Sequence, residues 1–219
     1  MRSRMLNHVL AQILIYQLKL TEYNKAQQKN IWLDERHTSL NKDLTIGVLG
    51  VGYLGKFIAN KLKSLNYNVI GYKNTISAAK YSIPIYYKKS LKTFLKLSDI
   101  IVSVLPATKE TRDLINKSFL NQMKKKSLLI NIGRGSSLNE MDLLKHIKQN
   151  NFFFASLDVF KKEPLPKNSK LWKNQNITVT PHVAAITDVD SSINYIFSKF
   201  EQFRTNGKIK SDVKIKNGY

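Results

Sequence analysis

The chain has 219 residues, 42% hydrophobic and 10% aromatic, a balance that suits one substantial globular core. It contains no cysteine, which excludes disulfides and thiolate metal sites. The formal charge of +21 raises nucleic acid as a partner, but the excess is 30 lysines against 6 arginines, scattered along the chain beside 20 asparagines. Readers of bases and phosphates cluster arginine for its bidentate fork, so a compositional drift toward Lys and Asn explains the charge and no nucleic-acid partner is expected.

Met1 to Leu20 joins two arginines to an apolar run, yet Asn7, His8, Gln12 and Gln17 interrupt it and no small-residue cleavage site follows, which argues against a leader peptide. No stretch approaches the roughly 18 uninterrupted apolar residues of a membrane span, so the cytoplasm is the expected location. Leu6, Val9, Leu10, Ile13, Leu14 and Leu18 share one helical face, and residues 5 to about 28 read as a long amphipathic helix. A polar connector runs from Asp34 to Lys42. Thr45 to Leu49 is a buried strand, and Gly50-Val51-Gly52-Tyr53-Leu54-Gly55 leads into a helix reaching about Leu65. Strands follow at Asn68–Tyr72, Ile83–Tyr87, Asp99–Leu105 and Ser127–Ile132. A helix over Asn139–Gln149 has Asn139 as its N-cap; strands at Phe153–Val159 and Ile177–Thr180 and a helix over Asp188–Arg204 complete the series. This alternation predicts an α/β fold, a doubly wound parallel sheet with a long N-terminal helix and a C-terminal helix. It divides as residues 1–42 (helix and connector), 43–186 (dinucleotide-binding domain) and 187–219 (terminal helix and tail).

A GxGxxG pattern becomes specific when it follows a strand and opens a helix, as it does here. Gly50 permits the tight turn, Gly52 lets a pyrophosphate approach the backbone, and Gly55 allows close helix–strand packing; Tyr53 and Leu54 complete the loop. An ordinary turn that happens to hold three glycines is the bland alternative, but only nine glycines occur in the whole chain. An acid at the end of the second strand would mark NAD by holding the ribose hydroxyls. That position reads Tyr72-Lys73-Asn74-Thr75, and no carboxylate lies between Gly55 and Asp99. Lys73, with Asn74 beside it, suits a 2′-phosphate, so NADP(H) is favoured and NAD(H) remains open.

Downstream, four motifs stand in order: Leu105-Pro106-Ala107-Thr108 with Thr111; Asn131-Ile132-Gly133-Arg134-Gly135; Leu157-Asp158-Val159-Phe160-Lys161-Lys162-Glu163-Pro164; and Thr180-Pro181-His182-Val183-Ala184-Ala185. The series resembles the D-isomer-specific 2-hydroxyacid dehydrogenases, in the glyoxylate/hydroxypyruvate reductase branch. The resemblance implies reduction of a small 2-keto acid to the D-2-hydroxy acid. It assigns Arg134 to the substrate carboxylate and carbonyl, His182 to acid/base work and Glu163 to orienting His182. Asp158 is assigned to the nicotinamide end, and Leu105, Pro106, Thr111, Ile132 and Gly133 flank the cofactor. These residue types fit the chemistry. Guanidinium matches a carboxylate beside a carbonyl, and histidine delivers a proton near neutrality.

Members of that family extend further upstream, through most of a substrate-binding domain, so a chain reduced to a dinucleotide-binding or interaction module is the alternative reading. The interdomain helix, with Leu6, Leu10, Ile13 and Leu14, predicts a homodimer. His8, His37 and His146 read as surface residues, Trp172 as packing, Phe152 to Phe154 as strand core, and Tyr86 and Tyr87 as partly exposed; no metal-ligand cluster is expected.

Overall fold

The computed structural model describes residues 1–34, 38–76, 80–150, 153–186 and 189–208. Seven parallel strands form one sheet: β1 (Thr45–Leu49), β2 (Asn68–Lys73), β3 (Ile85–Tyr87), β4 (Ile100–Ser103), β5 (Ser127–Asn131), β6 (Phe153–Leu157) and β7 (Ile177–Val179). Their order is β3-β2-β1-β4-β5-β6-β7, so the chain reverses direction across the sheet between β1 and β4. In such sheets that switch point opens a crevice at the carboxyl ends of the strands. Around the sheet lie α1 (Arg2–Gln17), α2 (Leu20–Gln27), α3 (Tyr53–Ser64), α4 (Leu91–Leu97), α5 (Lys117–Leu120), α6 (Glu140–Gln149) and α7 (Val189–Asn206).

The inner strands β1, β4, β5 and β6 are buried on both faces, which is why they read as apolar runs rather than alternating ones. Their side chains nevertheless divide with a period of two. Ile46, Val48, Ile100, Val102, Leu128 and Ile130 meet Met5, Val9 and Ile13 of α1 and Ile58, Ala59 and Leu62 of α3 on one face. Leu49, Ile101, Leu129, Phe153, Ala155 and Leu157 meet Phe94 and Leu95 of α4, Phe119 and Leu120 of α5, and Leu143 and Ile147 of α6 on the other. Asn139 caps α6 as expected, accepting from the Asp142 amide at 3.1 Å.

The long N-terminal helix is interrupted. Lys19 takes a left-handed backbone conformation (φ 54°) and separates α1 from α2. The cause is tertiary. Gln17, one of the polar residues that breaks the apolar run, is buried; its amide donates to the Ser39 carbonyl at 2.7 Å and to Asn41 Oδ1 at 3.0 Å, and Tyr67 donates to its Oε1 at 2.7 Å. Ile13, counted among the residues needing a partner surface, is fully buried in the chain's own core, whereas Leu14 is exposed. The short helices α4 and α5 lie outside the expected elements; one is two turns long and the other one turn, too short for a clear periodicity. His146 is half-buried against Phe153, edge to face at 4.7 Å, rather than a surface residue. Trp172 is half-exposed and anchored by its indole N–H to the Pro166 carbonyl. His37, Phe152, Asp188 and residues 209–219 of the tail lie outside the described residues. Among the described residues no helix is long and apolar enough to cross a membrane, and no cluster of three potential metal ligands occurs.

Candidate active site

Every segment singled out in the sequence follows the carboxyl end of a strand in this one parallel sheet: residues 50–55 after β1, 73–74 at the end of β2, 105–111 after β4, 132–135 after β5, 158–163 after β6 and 182 after β7. Parallel topology alone therefore brings them to one edge.

The glycine loop has the geometry its spacing implies. Gly50 sits at φ 101°, where any side chain is strained. A Cβ on Gly55 would overlap the carbonyl oxygen of Gly50, so α3 packs against the turn only because that position is glycine. Gly52 is the N-cap residue of α3, has no side-chain cap, and faces open space in which an added Cβ meets nothing within 4 Å. Free amides at a helix N-terminus beside an open backbone make an anion cradle, and a dinucleotide pyrophosphate fits it. Tyr53 is exposed on the first turn of α3, with the Arg2 guanidinium 5.0 Å from its ring centre, and Leu54 packs partly against the core.

At the end of β2, Lys73 donates to the Tyr81 hydroxyl at 2.7 Å, and the ammonium groups of Lys73 and Lys56 stand 5.3 and 5.5 Å from the Tyr81 ring centre. Asn74 is exposed beside them. Leu105 is buried and Pro106 half-buried; Thr111 Oγ1 donates to the Pro106 carbonyl at 2.6 Å and accepts from the Thr108 amide at 2.9 Å, which folds that loop back on itself. Ile132 is buried, and Gly133 lies where a Cβ would press on the Leu105 backbone.

Arg134, Glu163 and His182 are all exposed on this edge. His182 Nδ1 lies 2.8 Å from Glu163 Oε2, and the other carboxylate oxygen accepts from the Phe160 amide at 2.8 Å. A carboxylate only accepts, so the proton resides on Nδ1 and Nε2 is left for other work. Partial burial raises the Glu163 carboxyl, but the hydrogen bonds from His182 and the Phe160 amide, with the positive charges of His182 and Arg134, outweigh it and hold the group below its ordinary value. Arg134 donates to the Gly133 carbonyl at 2.8 Å.

Asp158, unlike Arg134, Glu163 and His182, is buried. It is 1% exposed. Its Oδ1 accepts from the Thr180 hydroxyl at 2.6 Å and the Val183 amide at 2.9 Å, and its Oδ2 from the Ala184 amide at 2.9 Å. Sequence reading did not single out the participation of Thr180 or of the Phe160 amide, nor the contact of Tyr81 with Lys73. Thr180 stands two residues before His182, and that adjacency was the available signal. Tyr81 is eight residues from Lys73 and carries none.

Residues 10–184 match the family described as D-isomer specific 2-hydroxyacid dehydrogenase, NAD binding domain. The chain is 36% identical over all 219 residues to glyoxylate/hydroxypyruvate reductase A of Photorhabdus laumondii, and 30% identical to the protein of that name from Yersinia enterocolitica; it spans 70% of the length of each. Among solved structures, it resembles the NADPH-dependent glyoxylate/hydroxypyruvate reductase of Sinorhizobium meliloti in complex with NADP and sulfate (TM-score 0.92, 30% identity, 99% of this chain and 70% of that one). It is equally similar to a D-isomer specific 2-hydroxyacid dehydrogenase of Xanthobacter autotrophicus in complex with NADPH and MES (TM-score 0.92, 30% identity, 100% of this chain and 90% of that one). A glycine cradle at the switch point, a histidine–glutamate pair on the same edge and a family match through both make the chain a member of the D-isomer specific 2-hydroxyacid dehydrogenases, an oxidoreductase family, carrying that family's NAD-binding domain.

Proposed function

We propose that the protein reduces a small 2-keto acid of the glyoxylate or hydroxypyruvate type to the D-2-hydroxy acid, with NADPH as the preferred reductant. The observation that carries the reading is the 2.8 Å pairing of His182 Nδ1 with Glu163, on the same sheet edge as the Gly50 loop and Arg134. NADPH, when bound, supplies the hydride that the carbonyl carbon accepts. As that bond forms, the carbonyl π pair moves onto oxygen, and the developing alkoxide takes a proton from His182 Nε2. Glu163 fixes the ring with Nδ1 protonated and stabilises the charged imidazole before transfer. Arg134 offers a permanently charged planar fork to the carboxylate and the adjacent carbonyl.

The preference for NADPH rests on the missing acid after β2 and on Lys73, a cation at the end of that strand hydrogen-bonded to Tyr81 and suited to a 2′-phosphate. It is supported by the NADP and NADPH held by the two solved relatives. The reading also includes a homodimer formed through the N-terminal helices, where Leu14, Leu18 and Leu20 remain exposed.

The test is to titrate the purified chain with NADPH and NADH by nicotinamide fluorescence and then to follow NADPH consumption with glyoxylate and hydroxypyruvate. Tighter NADPH binding, shifted toward NADH by Lys73→Asp, together with keto acid reduction supports the proposal. Equal affinities remove the cofactor preference. NADPH binding without reduction of either acid would leave a dinucleotide-binding module.

A further inference from the structure

His182 occupies a backbone conformation that a histidine seldom takes. Its φ is 55°, in the left-handed region, which strains a non-glycine residue. Such a conformation persists only where its surroundings over-determine it. Here the surroundings are one buried carboxylate. Asp158 takes the hydroxyl of Thr180 on one side of His182 and the amides of Val183 and Ala184 on the other, all within 2.9 Å. The loop is further tightened by the His182 amide, which donates to the Thr180 carbonyl at 3.0 Å. Asp158 is itself anchored to the neighbouring strand, its amide donating to the Asn131 carbonyl at 3.0 Å. Three donors converging on one anion give charge-assisted bonds, and they leave the carboxylate pointed into the chain's own loop.

We propose that Asp158 is a positioning residue for the acid/base histidine: it holds residues 180–184 in the strained turn that presents the His182 ring to Glu163. The inference rests on the reductase reading for the role of His182, but the clamp is a property of the loop alone. Asp158→Asn removes the charge and sets an amide N–H against at least one of the three donors. The strained turn then relaxes, and His182 separates from Glu163.

The tautomer of the neutral His182 ring reads this directly, without substrate or cofactor. It is taken from long-range proton–nitrogen correlations of the full chain at alkaline pH, with His182→Gln identifying the signal. The unaltered chain carries the proton on Nδ1, and Glu163→Gln defines the pattern of an unpaired ring. Asp158→Asn is expected to give that unpaired pattern. Retention of the Nδ1–H form in Asp158→Asn overturns the proposal, and a loss of NADPH affinity alongside it would assign the residue to the nicotinamide instead. Thermal melting reports whether Asp158→Asn folds. If it does not, Thr180→Val, which deletes only the 2.6 Å bond, decides the matter: a shift toward the unpaired pattern supports the clamp, and no shift overturns it. Failure of the unaltered chain to reduce keto acids would sink the reductase reading and leave the tautomer result standing.

Discussion

Single residues at the candidate site divide the work of the proposed reaction, so their substitutions should fail differently. His182→Gln removes the proton donor and should lower kcat by about 10²- to 10⁴-fold, with NADPH affinity preserved, as stopped-flow turnover and fluorescence titration would show. Arg134→Lys keeps the charge but not the fork, and should raise the KM for the keto acid by about 10- to 100-fold. Glu163 supplies the pH dependence. Its carboxyl is held below its ordinary value, because hydrogen bonds from His182 and the Phe160 amide and the nearby positive charges outweigh the effect of burial. The pairing with His182 is therefore fully present above the ordinary glutamate range and is lost only as pH falls through the lowered value. Removing the anion in Glu163→Gln takes away what stabilises the charged ring. The alkaline limb of the kcat/KM profile for reduction should move to lower pH, and an unmoved limb would show that Glu163 does not act on the ring. Which residues meet at this edge was legible in the sequence because four motifs came in order, but their connections were not. The tie of Asp158 to Thr180, Val183 and Ala184 depends on how two loops from different strands meet, and no local pattern encodes that meeting.

The strand–loop–helix element that opens the site separates two demands that the sequence motif runs together. Gly55 serves the fold, since a Cβ there would overlap the Gly50 carbonyl and force α3 away from the turn. Gly55→Ala should cost about 1–3 kcal/mol, measured as a lowered midpoint in urea unfolding. Gly52 faces open space, so Gly52→Ala should unfold at nearly the same midpoint while NADPH binding weakens. If both variants lose stability alike, the cradle at Gly52 has been misread. Elements with strong local signals were readable in advance: β1, the glycine turn, α3, and α6 with its Asn139 cap. The break at Lys19 was not, because the cause is Gln17 reaching Ser39, Asn41 and Tyr67 across the fold. The hydrophobic spacing through Leu18 continues as if the helix did. The ends of β4, β6 and β7 stop one or two residues short of the apolar runs, since Leu105, Val159 and Thr180 belong to the loops that build the edge.

At the scale of the whole molecule, the helices at the two ends of the chain each carry a set of exposed apolar side chains. One is the set Leu14, Leu18 and Leu20 near the junction of α1 and α2; the other is a stripe on α7 formed by Ile193, Ile196, Phe197, Phe200 and Phe203. The dimer proposed through the N-terminal helices makes a specific forecast. Sedimentation at micromolar concentration should give a dimer, Leu14→Lys combined with Leu18→Lys should dissociate it, and Phe197→Lys combined with Phe200→Lys should leave it intact. Dissociation by the α7 pair alone would move the contact to that helix. The doubly wound sheet was legible from the alternation of elements; the N-terminal surface was legible at Leu14 but not in full, and the α7 stripe was not, because exposure depends on which helix faces the sheet won.

The left-handed turn at His182 has a bearing on how this fold tolerates change. A glycine there would shed the backbone strain, and alanine would keep it while losing the same imidazole. The usual order of the two residues should therefore invert, with His182→Gly melting above His182→Ala by several degrees for a difference of about 1 kcal/mol. Both should be equally dead in reduction. The position then embodies a trade-off between durability and turnover. Drift toward a more robust but silent protein would run through this residue, and in any relative whose reductase activity has been abandoned, glycine is the substitution that the backbone itself would favour.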